Sequence, residues 1–223
     1  MSDKEAAAFA LSKVGQGYIY GAKGQVCTEK FRRQQANQYP DQAKYILNVG
    51  RKWDGVPVWD CAQLTRYAAR AAGVTLPSGA TSQWRKGPWK RKGEIGALPE
   101  GEVLFLYRQK GSVMQHTGIA LGDGTCAHAR GTAYGVVLQP LAGYAWTHWA
   151  SPWEEKSFSW AIVTAERGGT VNMRSRPGGK VMVRLSLGTR VQVLAQGAKW
   201  CVVRYQDKEG YMQSAFLREE KAR

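Results

Sequence analysis

The sequence predicts an α+β domain, helices first and an antiparallel sheet after them, followed by a small all-β barrel. Three observations carry this. In DCAQLTRYAARAAG, Cys61, Leu64, Ala68 and Ala71 recur at spacings of three and four, the period of a helix with one apolar face. The runs VLFLYR (103–108), HTGIAL (116–121) and TCAHAR (125–130) are β-rich and separated by glycine-containing turns. Beyond the segment 150–163, short runs recur between turns at GG, PGG, SLG, AQG and KEG, the rhythm of a small barrel.

Taken in order, EAAAFALSKV (5–14) reads as a short helix ended by Gly15 and Gly17, followed by the aromatic stretch Tyr18-Ile19-Tyr20-Gly21. Residues 22–59 are polar, and their helix formers are interrupted by Pro40, which predicts one or two inserted helices. At Asp60 the firmest helix begins, with Asp60 as N-cap and Gly73 as its stop. The first domain is expected over residues 1–155, a polar, aromatic connector over 156–162, and the barrel over 163–219.

With 223 residues, 43% of them apolar, and nine Trp, the chain has enough apolar surface for two cores, which excludes a disordered protein. A formal net charge of +15 points to a polyanionic partner. From Lys156 onward there are 13 basic and 5 acidic residues, an excess of eight over 68 positions and more than solubility requires. The run WRKGPWKRK (84–92) adds five cations and two Trp, and reads as a groove rim, a contact with a polyanion, or a solvated loop rather than a nucleic-acid site. The cysteines Cys27, Cys61, Cys126 and Cys201 are far apart, without C-x-x-C spacing, so free thiols are expected and no zinc site, metal or cofactor is called for. The N-terminus MSDKEAAAFALSKVG lacks the apolar core of a secretory leader and no run has the length of a membrane span. The expectation is synthesis in the cytoplasm.

A cysteine in the first turn of a helix sits where the macrodipole and free N–H groups favour a thiolate, and its own N–H can face a developing oxyanion. Cys61 is so placed, although an isolated cysteine there is also a common buried small hydrophobe. A base decides between the two. Of three histidines, His116 and His128 lie on consecutive short strands flanking Gly122-Asp123-Gly124. A three-residue loop sets Leu121 opposite Thr125 and His116 opposite Arg130, leaving His128 one diagonal step from His116 on the same face. A two-residue loop puts the imidazoles on opposite faces. In the first arrangement His116 takes the thiol proton and His128 orients it. His148, in YAWTHWASPW, reads as packing in an aromatic cluster.

Asp60-Cys61 opening a helix, LPSGATSQW (76–84), LPEGEVLFL (98–106), QHTGIALGDGTCAHA (115–129) and GVVLQPL (135–141) resemble, in that order, the NlpC-type cell-wall cysteine peptidases. The resemblance implies a papain-like fold, a Cys61-His116-His128 catalytic site, and hydrolysis of the bond from γ-D-glutamate to diaminopimelate or lysine in peptidoglycan stem peptides. It assigns Tyr20 of YIYGAKGQ to the substrate groove and Asp60 to a position near the amino end of the substrate. One departure is Ala62, where such peptidases carry a serine whose hydroxyl contacts substrate. A second is the long insertion at 22–59, which resembles that of phage lysins and implies a prophage endolysin.

The segment from Thr170 resembles bacterial Src-homology-3-like domains through Asn172-x-Arg174-Ser175-x-Pro177, Gly188-Thr189, Trp200, Gly210-Tyr211 and Phe216-Leu217. This implies a wall-binding module, with Trp200, Tyr205 and Tyr211 as candidate contacts; Trp200 and Phe216 read equally well as barrel core. The implied partners are peptidoglycan stem peptides and anionic wall polymers such as teichoic acid, reached after export, pore release or lysis. Alternatives on the same residues are an inert wall-binding protein and an N-acetylmuramoyl-L-alanine amidase or acyltransferase using the same nucleophile.

Overall fold

The computed structural model describes residues 3–154 and 159–220. The chain divides into two compact units, Met1–Glu154 and Glu155–Arg223.

The first unit is α+β. It opens with α1 (Asp3–Leu11) and β1 (Gly17–Tyr18). The inserted segment then supplies β2 (Lys23–Val26), α2 (Glu29–Gln38), a 3-10 turn at Pro40, α3 (Ala43–Leu47) and β3 (Pro57–Trp59). Two helices are therefore present, and Pro40 separates them as its ring demands. The flanking strands were not legible, because β3 pairs with β1 in parallel and with β2 antiparallel, closing contacts between residues as far apart as Gly17 and Val58. Ile19, Ala22, Cys27, Ile46 and Val58 give this region its own small core. Beside it, Arg32 donates to both carboxylate oxygens of Asp54 (2.9 and 2.8 Å) and to the Leu47 carbonyl (3.1 Å).

Next come α4 (Cys61–Ala71) and α5 (Ala80–Lys86). α4 buries Cys61, Leu64 and Ala68 as the spacing expects, but Ala71 is exposed, and Ala69 and Ala72 complete the inner face in its place. Ala68 and Ala69 join Ala6 and Ala10 of α1 over Phe105, Tyr107, Ile119 and Ala127 of the sheet. At the other end, Gly73 adopts φ +75°, where a residue with a side chain is strained. That sheet contains β4 (Arg91–Glu94), β5 (Val103–Lys110), β6 (Val113–Leu121), β7 (Thr125–Gly131), β8 (Gly135–Pro140) and β9 (His148–Ser151). Its order is β4-β9-β5-β6-β7-β8, and every pairing is antiparallel.

In the basic aromatic run at 84–92 the two Trp serve the core, both packing on Tyr107, and Arg91 pairs with Glu102, while Lys90 pairs with Glu154 (2.5 Å) at the surface. His148 contacts Trp84 at 5.0 Å between ring centroids, in an aromatic cluster.

The second unit is an all-β domain. Its strands are β10 (Ser159–Val163), β11 (Thr170–Arg174), β12 (Val181–Ser186), β13 (Arg190–Ala195), β14 (Trp200–Tyr205), β15 (Lys208–Gln213) and β16 (Leu217–Glu219). They run in the order β12-β11-β15-β14-β13-β10-β16. Alternate residues, among them Val171, Met173, Val191, Val193, Cys201 and Val203, form its core. Of the connector expected at 156–162, residues 156–158 lie outside the described residues. The remainder is strand, because Ala161 and Val163 are buried in that core while β10 pairs with β13 and β16. Among the described residues, no helix is long and apolar enough to cross a membrane.

Candidate active site

Asp60 joins the start of α4 to the turn after β1. One carboxylate oxygen accepts from the Gln63 N–H (2.6 Å), capping the helix, and the other accepts from the Gly21 N–H (3.0 Å). Cys61 follows as the first helical residue, 9% exposed, with its sulfur facing the N–H groups of Thr117, Ala62 and Cys61 itself. Thr117 is the residue after His116, so the helix start meets β6 at the candidate base.

The hairpin between β6 and β7 pairs Ile119 with Ala127 and Ala120 with Cys126. Continued outward, this register sets Leu121 opposite Thr125, Gly118 opposite His128 and His116 opposite Arg130, the arrangement expected of a three-residue loop. Gly122 and Gly124 take φ of +84° and +85°, and Asp123 between them accepts from the Thr125 N–H (2.9 Å). His116 and His128 thus share a face, and His116 Nε2 lies 2.7 Å from His128 Nδ1. One of these nitrogens donates the shared proton. With Nε2 engaged, Nδ1 is the nitrogen of His116 left for a reacting partner.

Gly118 makes the diagonal approach possible. A Cβ there would lie 2.8 Å from the His128 Cβ and 2.7 Å from the Trp146 ring. Trp146 stacks on His116 (5.5 Å between centroids, 23° between planes), and Tyr144 packs against both imidazoles at 5.0 and 4.7 Å. Arg108, directly across β5 from His116, donates to the Tyr144 hydroxyl (3.4 Å). Gly118 carries a sequence signal, a glycine inside a strand, which often marks close approach. Trp146 and Tyr144 carry none, since they arrive from a loop distant in sequence.

Burial dominates the electrostatics. It pushes the Cys61 thiol up to about 12, helped by the Asp60 carboxylate and opposed by the three N–H groups. Burial likewise holds His116 well below the usual imidazole range, followed by His128, Arg108 and Arg130. His128 is lowered to about 4 by burial and by Arg130, while the Gln139 side chain opposes them. Gln139 lies close enough to favour the charged ring, yet the far nitrogen of His128 completes no hydrogen bond. The expected lowering of the thiol by the helix terminus is thus corrected: desolvation outweighs the dipole, and both thiol and imidazole rest neutral.

A groove of about 370 Å³ runs along Cys61. Its lining comes from Asp60, Cys61, Ala62 and Gln63, from Ser78 to Ser82, from Met114 and Gln115, and from Tyr18, Tyr20, Gly21, Lys23 and Tyr39. Tyr20 lines it as expected and is 41% exposed, packed edge-on against Tyr39. Tyr18, missed in the sequence, is buried and close enough to Cys61 for the two charges to interact. Among the described residues, no three His, Cys, Asp or Glu side chains group as a metal site.

In the second unit, Trp200 lines a separate cleft of about 240 Å³ with Arg167, Asn172, Arg174 and Gln213. Tyr211 pairs across from Val202, two residues along β14 from Trp200, and so shares its face. Tyr205 does not: it lies on the alternate face and packs against the core, and Phe216 also packs there.

Residues 42–152 match the NlpC/P60 family, and residues 169–218 match the bacterial SH3 domain. No curated protein sequence matches. Among solved structures, the chain is similar to the peptidoglycan hydrolase RipB of Mycobacterium tuberculosis, at 22% identity and TM-score 0.48, over 69% of this chain and 65% of that one. It is also similar to the NlpC/p60 domain of the peptidoglycan hydrolase SagA, at 19% and 0.46, over 68% and 99%. A third similar structure is RipD of Mycobacterium tuberculosis, a non-catalytic NlpC/p60 domain protein adapted to peptidoglycan binding, at 18% and 0.41, over 67% and 95%. This chain spans just under two thirds of the RipB chain. The chain thus carries an NlpC/P60-family domain followed by a bacterial SH3 domain.

Proposed function

We propose that this chain is a cysteine endopeptidase of the bacterial cell wall, cleaving peptidoglycan stem peptides at the bond from γ-D-glutamate to diaminopimelate or lysine. The observation that carries the reading is the 2.7 Å contact between His116 and His128 beside a cysteine in the first turn of α4. Membership of the NlpC/P60 family supports cell-wall hydrolysis.

In the proposed mechanism His116 Nδ1 takes the Cys61 proton as the sulfur attacks the scissile carbonyl carbon. The carbonyl π electrons move onto oxygen, and N–H groups at the start of α4 face the resulting oxyanion. Collapse expels the amine, which takes the proton from His116 and leaves an acyl-thioester. Water, deprotonated by His116, then releases the acid and restores the thiol. His128 holds the ring of His116 and shares its positive charge. The SH3 unit keeps the enzyme on the wall, with the Trp200 cleft and Tyr211 as its contact surface.

Digestion of purified wall followed by mass spectrometry of the soluble fragments tests this. The expected products end in free γ-D-glutamate and begin with free diaminopimelate or lysine. Release of whole stems with a free L-alanine amine would identify an amidase instead. Clearing by Cys61→Ala at the parent rate overturns the assignment.

A further inference from the structure

The groove beside Cys61 presents one charge to a ligand. Its two ionised lining residues are Asp60 and Lys23. Asp60 turns its carboxylate onto the N–H groups of Gly21 and Gln63 and is 9% exposed. Lys23 is exposed, and among the described residues it makes no ion pair. Its charge reaches as far as Asp60. The lining from Ser78 to Ser82 is neutral, and Ala62 offers only a methyl.

The backbone that carries Lys23 is held from both sides. Gly21 has φ +79°, and a Cβ there would lie 2.5 Å from the Tyr39 ring and from Gln35 Oε1, so the end of α2 presses directly on it. Gly24 has φ +96°, and a Cβ there would lie 2.6 Å from the Trp59 ring. Between them Lys23 is paired with Trp59 in the ladder from β2 to β3. Two glycines in the left-handed region, each roofed by an aromatic ring, fix where the lysine leaves the chain. The match to the NlpC/P60 family begins at residue 42, so Lys23 and Tyr39 come from a segment outside it.

We propose that this segment builds a carboxylate subsite on the acyl side of the groove, with Lys23 as its cation. The inference rests on the proposed stem-peptide substrate and names what is read in it. A glutamate linked through its γ-carboxyl keeps its α-carboxylate free, separated from the scissile carbonyl by three carbons. Both groups therefore enter one groove, and the carboxylate is the anion that Lys23 meets. Amidation of that group removes the charge while leaving its size.

The test uses two purified stem peptides that differ only in the α-carboxylate or α-carboxamide of this residue. The full chain is expected to cleave the carboxylate stem with kcat/KM at least about tenfold higher, the scale of one charge-assisted hydrogen bond. Lys23→Met brings the two stems to the same rate, and Lys23→Arg retains the preference. Equal rates in the parent chain, or a Lys23→Met loss of the same factor on both stems, overturn the subsite. If the parent cleaves neither stem, the endopeptidase reading fails separately. Calorimetric affinities of Cys61→Ala for the two stems then decide the subsite: about tenfold tighter binding of the carboxylate stem, abolished by Lys23→Met, supports it, and equal affinities refute it.

Discussion

Replacing Asp60 by Asn separates the capping role of this residue from the cost of burying its charge. Burial raises the carboxyl from its ordinary 3.8 to about 6, against the N–H groups of Gln63, Gly21 and Ala62 that favour the anion. Below 3.8 the folded and unfolded chains both hold the proton, and burial of the charge costs nothing. Between 3.8 and about 6 the unfolded chain ionises first while the folded chain keeps its proton, so stability falls as pH rises. Above about 6 the full cost is present. At 1.36 kcal/mol per pH unit, that gap amounts to about 3 kcal/mol. Asn retains an oxygen for the Gln63 N–H and remains a good cap. It also turns an amide N–H toward the Gly21 N–H, a cost of about 1–3 kcal/mol that is independent of pH. Asp60→Asn is therefore less stable than the parent at pH 4, and the difference moves in its favour by up to about 3 kcal/mol between pH 4 and pH 7. Urea unfolding followed by helical circular dichroism reads the first unit, since the α-helices of the described residues all lie there. A difference that stays flat across this range, or moves the other way, refutes the burial account.

Three further outcomes are expected. Arg108→Met removes one of the cations that, after burial and His128, hold His116 low, so the acid limb of kcat/KM moves to higher pH; an unmoved limb excludes His116 as the base. Gly118→Ala forces a methyl against Trp146 and His128, costing about 1–3 kcal/mol in urea titrations and separating the imidazoles; full turnover with intact stability would contradict the site geometry. Arg32→Met removes the two bonds to Asp54 and one to Leu47 O, and because Asp54 is 44% exposed and can rehydrate, the expected loss is about 2 kcal/mol, read by the same titration.

The parts legible in the sequence are those fixed by local spacing. The apolar stripe of α4 follows its three-and-four period through Cys61, Leu64 and Ala68, but the last turn buries Ala69 and Ala72 where the count puts Ala71. The hairpin register follows from counting across Gly122-Asp123-Gly124, and it puts both histidines on one face before any contact is known. Tyr18 was missed because the resemblance assigns the groove position to Tyr20, and both residues lie close enough to Cys61 and Asp60 to interact with them. The strand ends at Tyr18 and the chain turns at Gly21, so alternation along the segment cannot say which of the two is buried. Trp146 and Tyr144 reach the histidines from a loop, and β2 and β3 find each other across the insertion; neither contact has a local period to read. Tyr205 fails for the opposite reason. Simple alternation from the buried Cys201 and Val203 puts it on the core face, yet an aromatic residue near Trp200 invited a surface role.

The helix terminus favours a thiolate at Cys61, but burial outweighs it, and this balance bears on how the proposed chemistry would run. Three N–H groups face the Cys61 sulfur, but burial pushes its thiol up to about 12, while His116 is held well below the usual imidazole range. At neutral pH the resting pair is therefore uncharged. Hydrogen-bond donors gain little from a neutral sulfur and much from an anion. These donors are thus arranged for a charge absent at rest, which forms only when the proton moves to His116 and then passes onto the carbonyl oxygen. Donors already held in place by α4 and β6 need not reorganise when that charge appears, which is the condition under which buried dipoles lower a barrier most. In the proposed mechanism, proton transfer would then accompany attack instead of preceding it. The contact between His116 and His128 then matters most in that step, where the positive charge on the imidazole is new.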